Sequence, residues 1–352
     1  MNAALRIAVA LVVAVIAHGC AHVPAQKVTQ DRFDYAMALG DSWKRQTLAN
    51  VVRLRYADAP VFLNVTSVIN AYTNSGTLSA NANYPENPDT KSIGASASGS
   101  WSNSPTVTYQ PLTGEEFSKN LLRPVPPKAV LQLVQGGWPA ELIFGTTVRS
   151  INGLHNQSGL ATGDPRFFEL VSLIGQIQRS DAVELRVRAE KDGEAVIMAL
   201  TREENTAIRE VSQAARTLLG LEPGLAEINV TYGSVPTNTR EIAMMTRSML
   251  EVMLELAAGI EVPPPHLKEQ RVLPMRAGEE RGGEFKSLVH IRSGAEAPKD
   301  AYAAIPYKGY WFWIDDRDLR SKRLFTFVMI LFSLTESSPV QAAPLVTIPA
   351  GR

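Results

Sequence analysis

The sequence predicts an α+β fold, on three observations. Segments of helical and of strand periodicity are mixed along the chain without the regular β-α-β alternation of a doubly wound sheet. The stretch from Ser92 to Gly114 contains no charged residue and alternates small apolar with hydroxyl side chains at a period of two. Helix starts are marked by capping residues, most plainly at Asp164-Pro165, where an N-cap precedes a proline suited to the first helical position.

Taken in order, residues 31–56 read as a helix with Trp43, Leu48, Val51, Val52 and Leu54 available for burial and Pro60 as its stop. The run Val61 to Tyr72 fits either a helix or a strand. A β-hairpin is expected at about 75–110. Its short first strand alternates Leu78, Ala80, Ala82 and Tyr84 with Thr77, Ser79, Asn81 and Asn83. Its long second strand carries Ile93, Ala95, Ala97, Trp101, Val107 and Tyr109 on one parity and Ser and Thr on the other. Turn formers fill 85–91 between them. Three short helices should follow, over 115–122, 128–135 and 140–151, with loops at Asn152-Gly153 and 156–163.

The remaining chain reads as mixed helices and mainly antiparallel strands. Helices are expected over 165–179, 201–219 (opened by the box Thr201-Arg202-Glu203-Glu204), 239–258 and 316–334. Strands are expected over 183–189, 195–200, 228–232, 287–292, 301–307, 310–314 and 345–348, with Lys191-Asp192-Gly193 as one hairpin turn and Gly259 closing the helix before it. The organisation that results is an N-terminal helical domain, 31–163, carrying the long Ser/Ala-rich hairpin, and an α+β domain over 164–352.

The N-terminus supplies an address. Arg6 is followed by Ile7 to Ala17, eleven residues without a polar one, and then His18-Gly19-Cys20, which holds the only cysteine of the 352-residue chain. A bilayer-spanning helix needs about 20 apolar residues, so this segment reads as a cleaved signal peptide, 1–19. The arrangement resembles the lipobox of bacterial lipoproteins. That resemblance implies acylation of the Cys20 thiol, cleavage before it and acylation of the new amine. Ala21, where an inner-membrane retention signal would have aspartate, implies the outer membrane. Residues 20–30 then form a lipid-anchored tether.

Composition excludes several classes. Basic and acidic side chains number 35 each, so the basic field that nucleic-acid binding requires is missing. One cysteine excludes intramolecular disulfides, and the fold must rest on packing. There is no Walker-type phosphate loop, no Gly-x-Ser-x-Gly and no histidine pair at metal-ligand spacing among His22, His155, His266 and His290. Gly40-Asp41-Ser42 resembles the first block of GDSL-type esterases, but neither His266 nor His290 has an aspartate three residues before it, and helix capping is the better account. Asp315, Asp316 and Asp318 lack calcium-loop spacing and suit a helix N-terminus. The sequons at Asn64, Asn156 and Asn229 matter only in a eukaryotic secretory route.

The expected function is therefore non-enzymatic, with no cofactor, metal or nucleotide. The chain reads as an outer-membrane lipoprotein facing the periplasm, a structural or assembly component of an envelope complex. Its partners would be the membrane, through the lipid, and other envelope proteins or further copies of itself. Three accounts of the hairpin stand side by side: a soluble hairpin with one face on the core, a flexible Ser/Asn-rich linker, and a transmembrane hairpin of an oligomeric barrel, with Tyr84, Ile93, Ala95, Ala97, Trp101, Val107 and Tyr109 as membrane or oligomer contacts. The alternative function is a periplasmic lipoprotein that binds a small molecule or glycan on a platform of Trp311 and Trp313.

Overall fold

The computed structural model describes residues 25–83, 92–159, 162–180, 183–190, 193–200, 206–225, 227–272 and 287–335. The fold is α+β. By its contacts the chain divides into two units, one of Met1–Ser42 with Leu63–Pro111 and one of Trp43–Phe62 with Leu112–Arg352. The expected turn at 191–193, the box at 201–204, the strand at 345–348 and the positions of Cys20 and Tyr84 fall wholly or partly outside the described residues.

Helix α1 runs from Ala25 to Arg55 and so begins inside the segment expected to be an extended tether. A helix advances only about 1.5 Å per residue, so 25–30 reach less far than an extended chain would. Gly40, Asp41 and Ser42 lie within this helix rather than after a strand, which removes the esterase-like setting. The hairpin is formed by β1 (Leu63–Asn83, 21 residues) and β2 (Ser92–Pro111, 20 residues). The first strand is thus far longer than the alternation at 77–84 suggested, and the ambiguous Val61–Tyr72 run is resolved from Leu63 onward as strand.

The second unit is built on a six-stranded sheet. Its strands are β3 (Val148–Ile151), β4 (Leu154–His155), β5 (Val183–Glu190), β6 (Gly193–Leu200), β7 (Glu227–Tyr232) and β8 (Glu241–Thr246), in the spatial order β4-β3-β8-β7-β6-β5. Among the described strands of this sheet, β7 and β8 pair in parallel and the other neighbours antiparallel. The boundary expected at residue 164 falls inside this sheet, because β3 pairs directly with β8. Short helices precede the sheet: α2 (Gly114–Phe117), continued by a π turn at Ser118–Leu122, then α3 (Pro127–Gln135) and α4 (Ala140–Thr147). Helix α5 (Pro165–Gln178) starts as expected, with the Asp164 side chain accepting from the Arg166 amide at 2.9 Å. Helix α6 (Thr206–Leu219) stops at Gly220, whose φ of +66° glycine adopts without strain.

Two expected helices are shorter, because each gives way to a strand. Residues 140–151 switch to β3 at Val148, and Asn152 and Gly153, both at positive φ, turn it into β4. Residues 239–258 are β8 followed by α7 (Met249–Ala257), separated by a Ser248/Glu251 capping box. Five of the six β8 residues are buried, so this strand lacks the alternation of a half-exposed one. Gly259 is required for a different reason than a left-handed cap: a side chain there would run into the Val289 carbonyl.

A small antiparallel sheet closes the unit, with β9 (Arg292–Gly294), β10 (Ala301–Tyr307) and β11 (Tyr310–Asp315) in the order β10-β11-β9. The strand expected at 287–292 begins only at Arg292, while Ile291 bridges to Ile260. Helix α8 (Pro264–Lys268) lies before this sheet and α9 (Leu319–Thr335) after it. The Asp318 carboxylate accepts from the Ser321 amide at 3.0 Å and from its hydroxyl at 2.6 Å, as an N-cap should. Asp316 pairs with Lys322 at 2.6 Å and Asp315 with Arg292 at 3.1 Å, so the acidic trio is used structurally. Phe325, Phe327 and Leu331 of α9 are fully buried in the core.

Candidate functional site

The hairpin is the first candidate. Among the described residues its two strands form a sheet of their own, order β1-β2. The ladder runs from Leu63↔Pro111 to Asn83↔Ser92. A bulge between Val65 and Ser67 shifts the register by one residue. Its effect is chemical. On both sides of the bulge the apolar parity of one strand meets the apolar parity of the other: Leu63↔Pro111, Val65↔Tyr109, Val68↔Val107, Leu78↔Ala97, Ala80↔Ala95 and Ala82↔Ile93. Without the inserted residue the two sets would be out of phase along the rest of the ribbon. On the other parity the register sets Ser and Thr positions opposite one another, as in Thr73↔Ser102, Ser75↔Ser100, Thr77↔Ser98 and Ser79↔Ser96. Neither strand contains a charged residue; the nearest beyond the distal end are Glu86 and Lys91.

Of the residues expected at a membrane or oligomer contact, Ile93, Ala95, Ala97, Trp101, Val107 and Tyr109 all occupy β2 on one parity of the ladder. Val107 is half-buried, and Tyr109 is 56% exposed. Leu63, Val65 and Ile69 of β1 are also exposed, although sequence reasoning did not place them with the hairpin.

The residues that flank the hairpin in sequence are tied to one another within the second unit. The Leu112 amide donates to the Phe62 carbonyl at 3.0 Å. The buried Asn50 side chain binds both polar groups of the Val61 backbone, at 2.8 and 2.9 Å, as a neighbouring strand would.

Trp311 and Trp313, the expected ligand platform, are half-buried and alternate with the fully buried Phe312 and Ile314, so they share the other face of the small sheet. Both lie near Gly294: Trp311 pairs with it, and a Cβ added at Gly294 would stand 3.2 Å from the Trp313 ring. Phe312 packs edge-on against Tyr56, with centroids 6.0 Å apart.

A second cluster, unforeseen from sequence, surrounds Tyr56. Its hydroxyl lies 2.6 Å from His266 Nδ1, and both residues are buried. Tyr310 packs edge-on against His266 at 4.9 Å, and Tyr307 against Tyr56 at 5.5 Å. The Tyr307 hydroxyl donates to Asp58, which also pairs with Lys308 at 2.7 Å. Lys308 stands over the Tyr56 ring at 5.2 Å. Burial pushes Tyr56 up to about 12 against the opposing charges of Arg55 and Arg271, and burial together with the hydrogen bond to Asp58 pushes Tyr307 up to about 12. Hydrogen bonds from Lys308 and Tyr307 pull the Asp58 carboxyl down. Burial pulls His266 below its ordinary 6.5, helped by Arg271 and Lys308 and opposed by Glu269 and a backbone bond to Lys308.

These contacts fasten the end of α1 to α8 and the β10–β11 turn. Joining residues of three elements in this way, the cluster reads as a clasp. Because the folded pKa of His266 is depressed, its contribution to stability is present above about pH 6.5 and is lost as pH falls toward the folded value. The melting temperature should therefore fall between pH 7.5 and 5, and His266→Asn should flatten that part of the profile. Parallel profiles for the two proteins would contradict this role.

Among the described residues no group of three or more His, Cys, Asp or Glu is placed to hold a metal ion, and no helix is long and apolar enough to cross a membrane. The sequon residue Asn156 is buried, its amide donating to the carbonyls of Val148, Gly145 and Phe144 at 2.7, 3.0 and 3.4 Å. No protein-family model, no curated protein and no solved structure matches the chain.

Proposed function

We propose that this chain is an outer-membrane lipoprotein, held by acylated Cys20 and facing the periplasm, and a non-enzymatic structural component of a cell-envelope complex. Copies associate through the Leu63–Pro111 hairpin, strand edge to strand edge, into a closed ring. The observation that carries the reading is an uncharged ribbon of 21 and 20 residues that forms a separate two-stranded sheet among the described residues.

A lone hairpin is at best marginally stable in water. The edges of a two-stranded sheet are templates for pairing, and soluble proteins blunt such edges with lysine or other charges. Neither strand here carries one. The β1 edge of one copy can pair with the β2 edge of the next, a head-to-tail contact that closes into a ring. Closure is also the way in which strand edges are satisfied in lipid. An acylated cysteine bearing several chains would hold each copy at the membrane while the ring forms.

The test uses the full-length acylated protein in detergent. A species several times the protomer mass is expected, and lost in the double variant Ala95→Lys, Ala97→Lys. A monomeric wild type, or an oligomer indifferent to both lysines, would overturn the reading.

A further inference from the structure

The geometry points to the distal half of the hairpin, Asn74–Asn83 paired with Ser92–Trp101, as the part that crosses the bilayer, with the proximal half as a stalk outside the hydrocarbon. The inference rests on the ring reading above and adds which rungs meet lipid.

Length is the first argument. The whole ladder is about twice what a membrane needs, since a transmembrane strand takes about 9–11 residues. From Asn74↔Trp101 to Asn83↔Ser92 the register gives ten rungs. At about 3.3 Å per residue and a tilt near 40°, ten rungs rise about 25 Å, the height of the apolar band of an outer-membrane barrel.

Pattern decides which ten. In the distal half the interior rungs of the apolar parity are Gly76↔Gly99, Leu78↔Ala97, Ala80↔Ala95 and Ala82↔Ile93, without a polar residue. The opposite parity there is Ser, Thr and Asn, broken only by Gly94. Such two-sided alternation is what separates a lipid face from an aqueous lumen. The proximal half breaks it on both sides. Its apolar parity includes Asn70↔Pro105 and Tyr72↔Asn103, and its other parity includes Ile69 and Ala71. Pro105 has no N–H to give a ladder, a cost tolerable in water but high in hydrocarbon. The bulge also lies in the proximal half, between Val65 and Ser67. Finally, Tyr72 and Trp101 mark the boundary between the halves, at the depth where interfacial aromatics belong.

The experiment places an environment-sensitive fluorophore on single cysteines of the full-length acylated protein, in phosphatidylcholine vesicles with and without brominated acyl chains. Native Cys20 is blocked by acylation, so Ala80→Cys, Ala95→Cys and Val107→Cys, all on the apolar parity, are labelled selectively. Brominated lipid should quench positions 80 and 95 at least several-fold more than position 107. Equal quenching at all three, or stronger quenching at 107, in rings that persist by light scattering, would overturn this assignment alone. Absence of rings would overturn the ring reading and the assignment with it.

Discussion

Arg247→Ala is expected to cost about 3–5 kcal/mol of folding stability, the range for removing one partner of a buried ion pair. Arg247 lies between β8 and α7 and is only 3% exposed. Its guanidinium donates to the Gly145 and Thr146 carbonyls, both at 3.1 Å, and to the Gln157 carbonyl. The first two belong to the last turn of α4, where carbonyls lack intrahelical partners and a cation offsets the negative end of the helix dipole. The same guanidinium stands 3.7 Å from Glu255, whose carboxylate also accepts from the Gly159 amide at 3.3 Å. Burial pushes Glu255 up and pulls Arg247 down, and each charge opposes the shift of the other. Alanine would leave a carboxylate without its cation and several carbonyls without a donor. Adding Glu255→Gln to Arg247→Ala should recover part of the loss, because the unpaired charge is gone while the orphaned carbonyls remain. Urea unfolding of the four proteins of this cycle measures both effects. A single-variant loss below about 1 kcal/mol, the size of an exposed pair, would show that the site is not the buried junction described.

The second large effect concerns assembly rather than stability. Excising Leu63–Pro111 and joining Phe62 to Leu112 through a short glycine-containing linker should leave the second unit folded while abolishing the oligomer. The cut ends already share a hydrogen bond at 3.0 Å, and Asn50 fixes the preceding Val61 from within that unit. Closing so short a loop costs little entropy. Circular dichroism should show a cooperative melt within a few degrees of the parent protein, and light scattering in detergent should show a monomer. Loss of cooperative folding would mean that the hairpin is part of the core. A persistent ring would mean that other surfaces assemble it.

What the sequence made legible was local. The Asp164-Pro165 start of α5, the Gly220 stop of α6 and the β10–β11 pair all follow from caps, turns and periodicity within a few residues. Strand β8 was hidden because Ile242, Ala243 and Met244 are buried on successive positions, which reads as a continuous apolar run rather than an alternation. The signal that separates it from α7 was present: Ser248 and Glu251 have the spacing of a capping box. Likewise Asn152-Gly153 is a strong hairpin signal and marks the β3–β4 turn.

The hairpin was only half visible. Alternation in β1 is diluted by Asn70, Asn74 and Gly76, and the Val65/Ser67 bulge puts the apolar residues before and after it on opposite sequence parities. A strict count of period two loses the strand at that point. The Tyr56–His266 clasp and the Arg247 junction were not legible, since they join residues 210 and about 100 positions apart, and no pattern within a single segment reports such contacts.

The central claim is that copies of this chain close into a ring through the 63–111 hairpin. The mass of the full-length acylated protein in detergent, corrected for bound detergent and lipid, tests it most directly. One discrete species is expected at a fixed whole-number multiple of the protomer, well above a dimer, collapsing to a single protomer when the hairpin is excised. A full-length protein that remains a monomer at every concentration would contradict it.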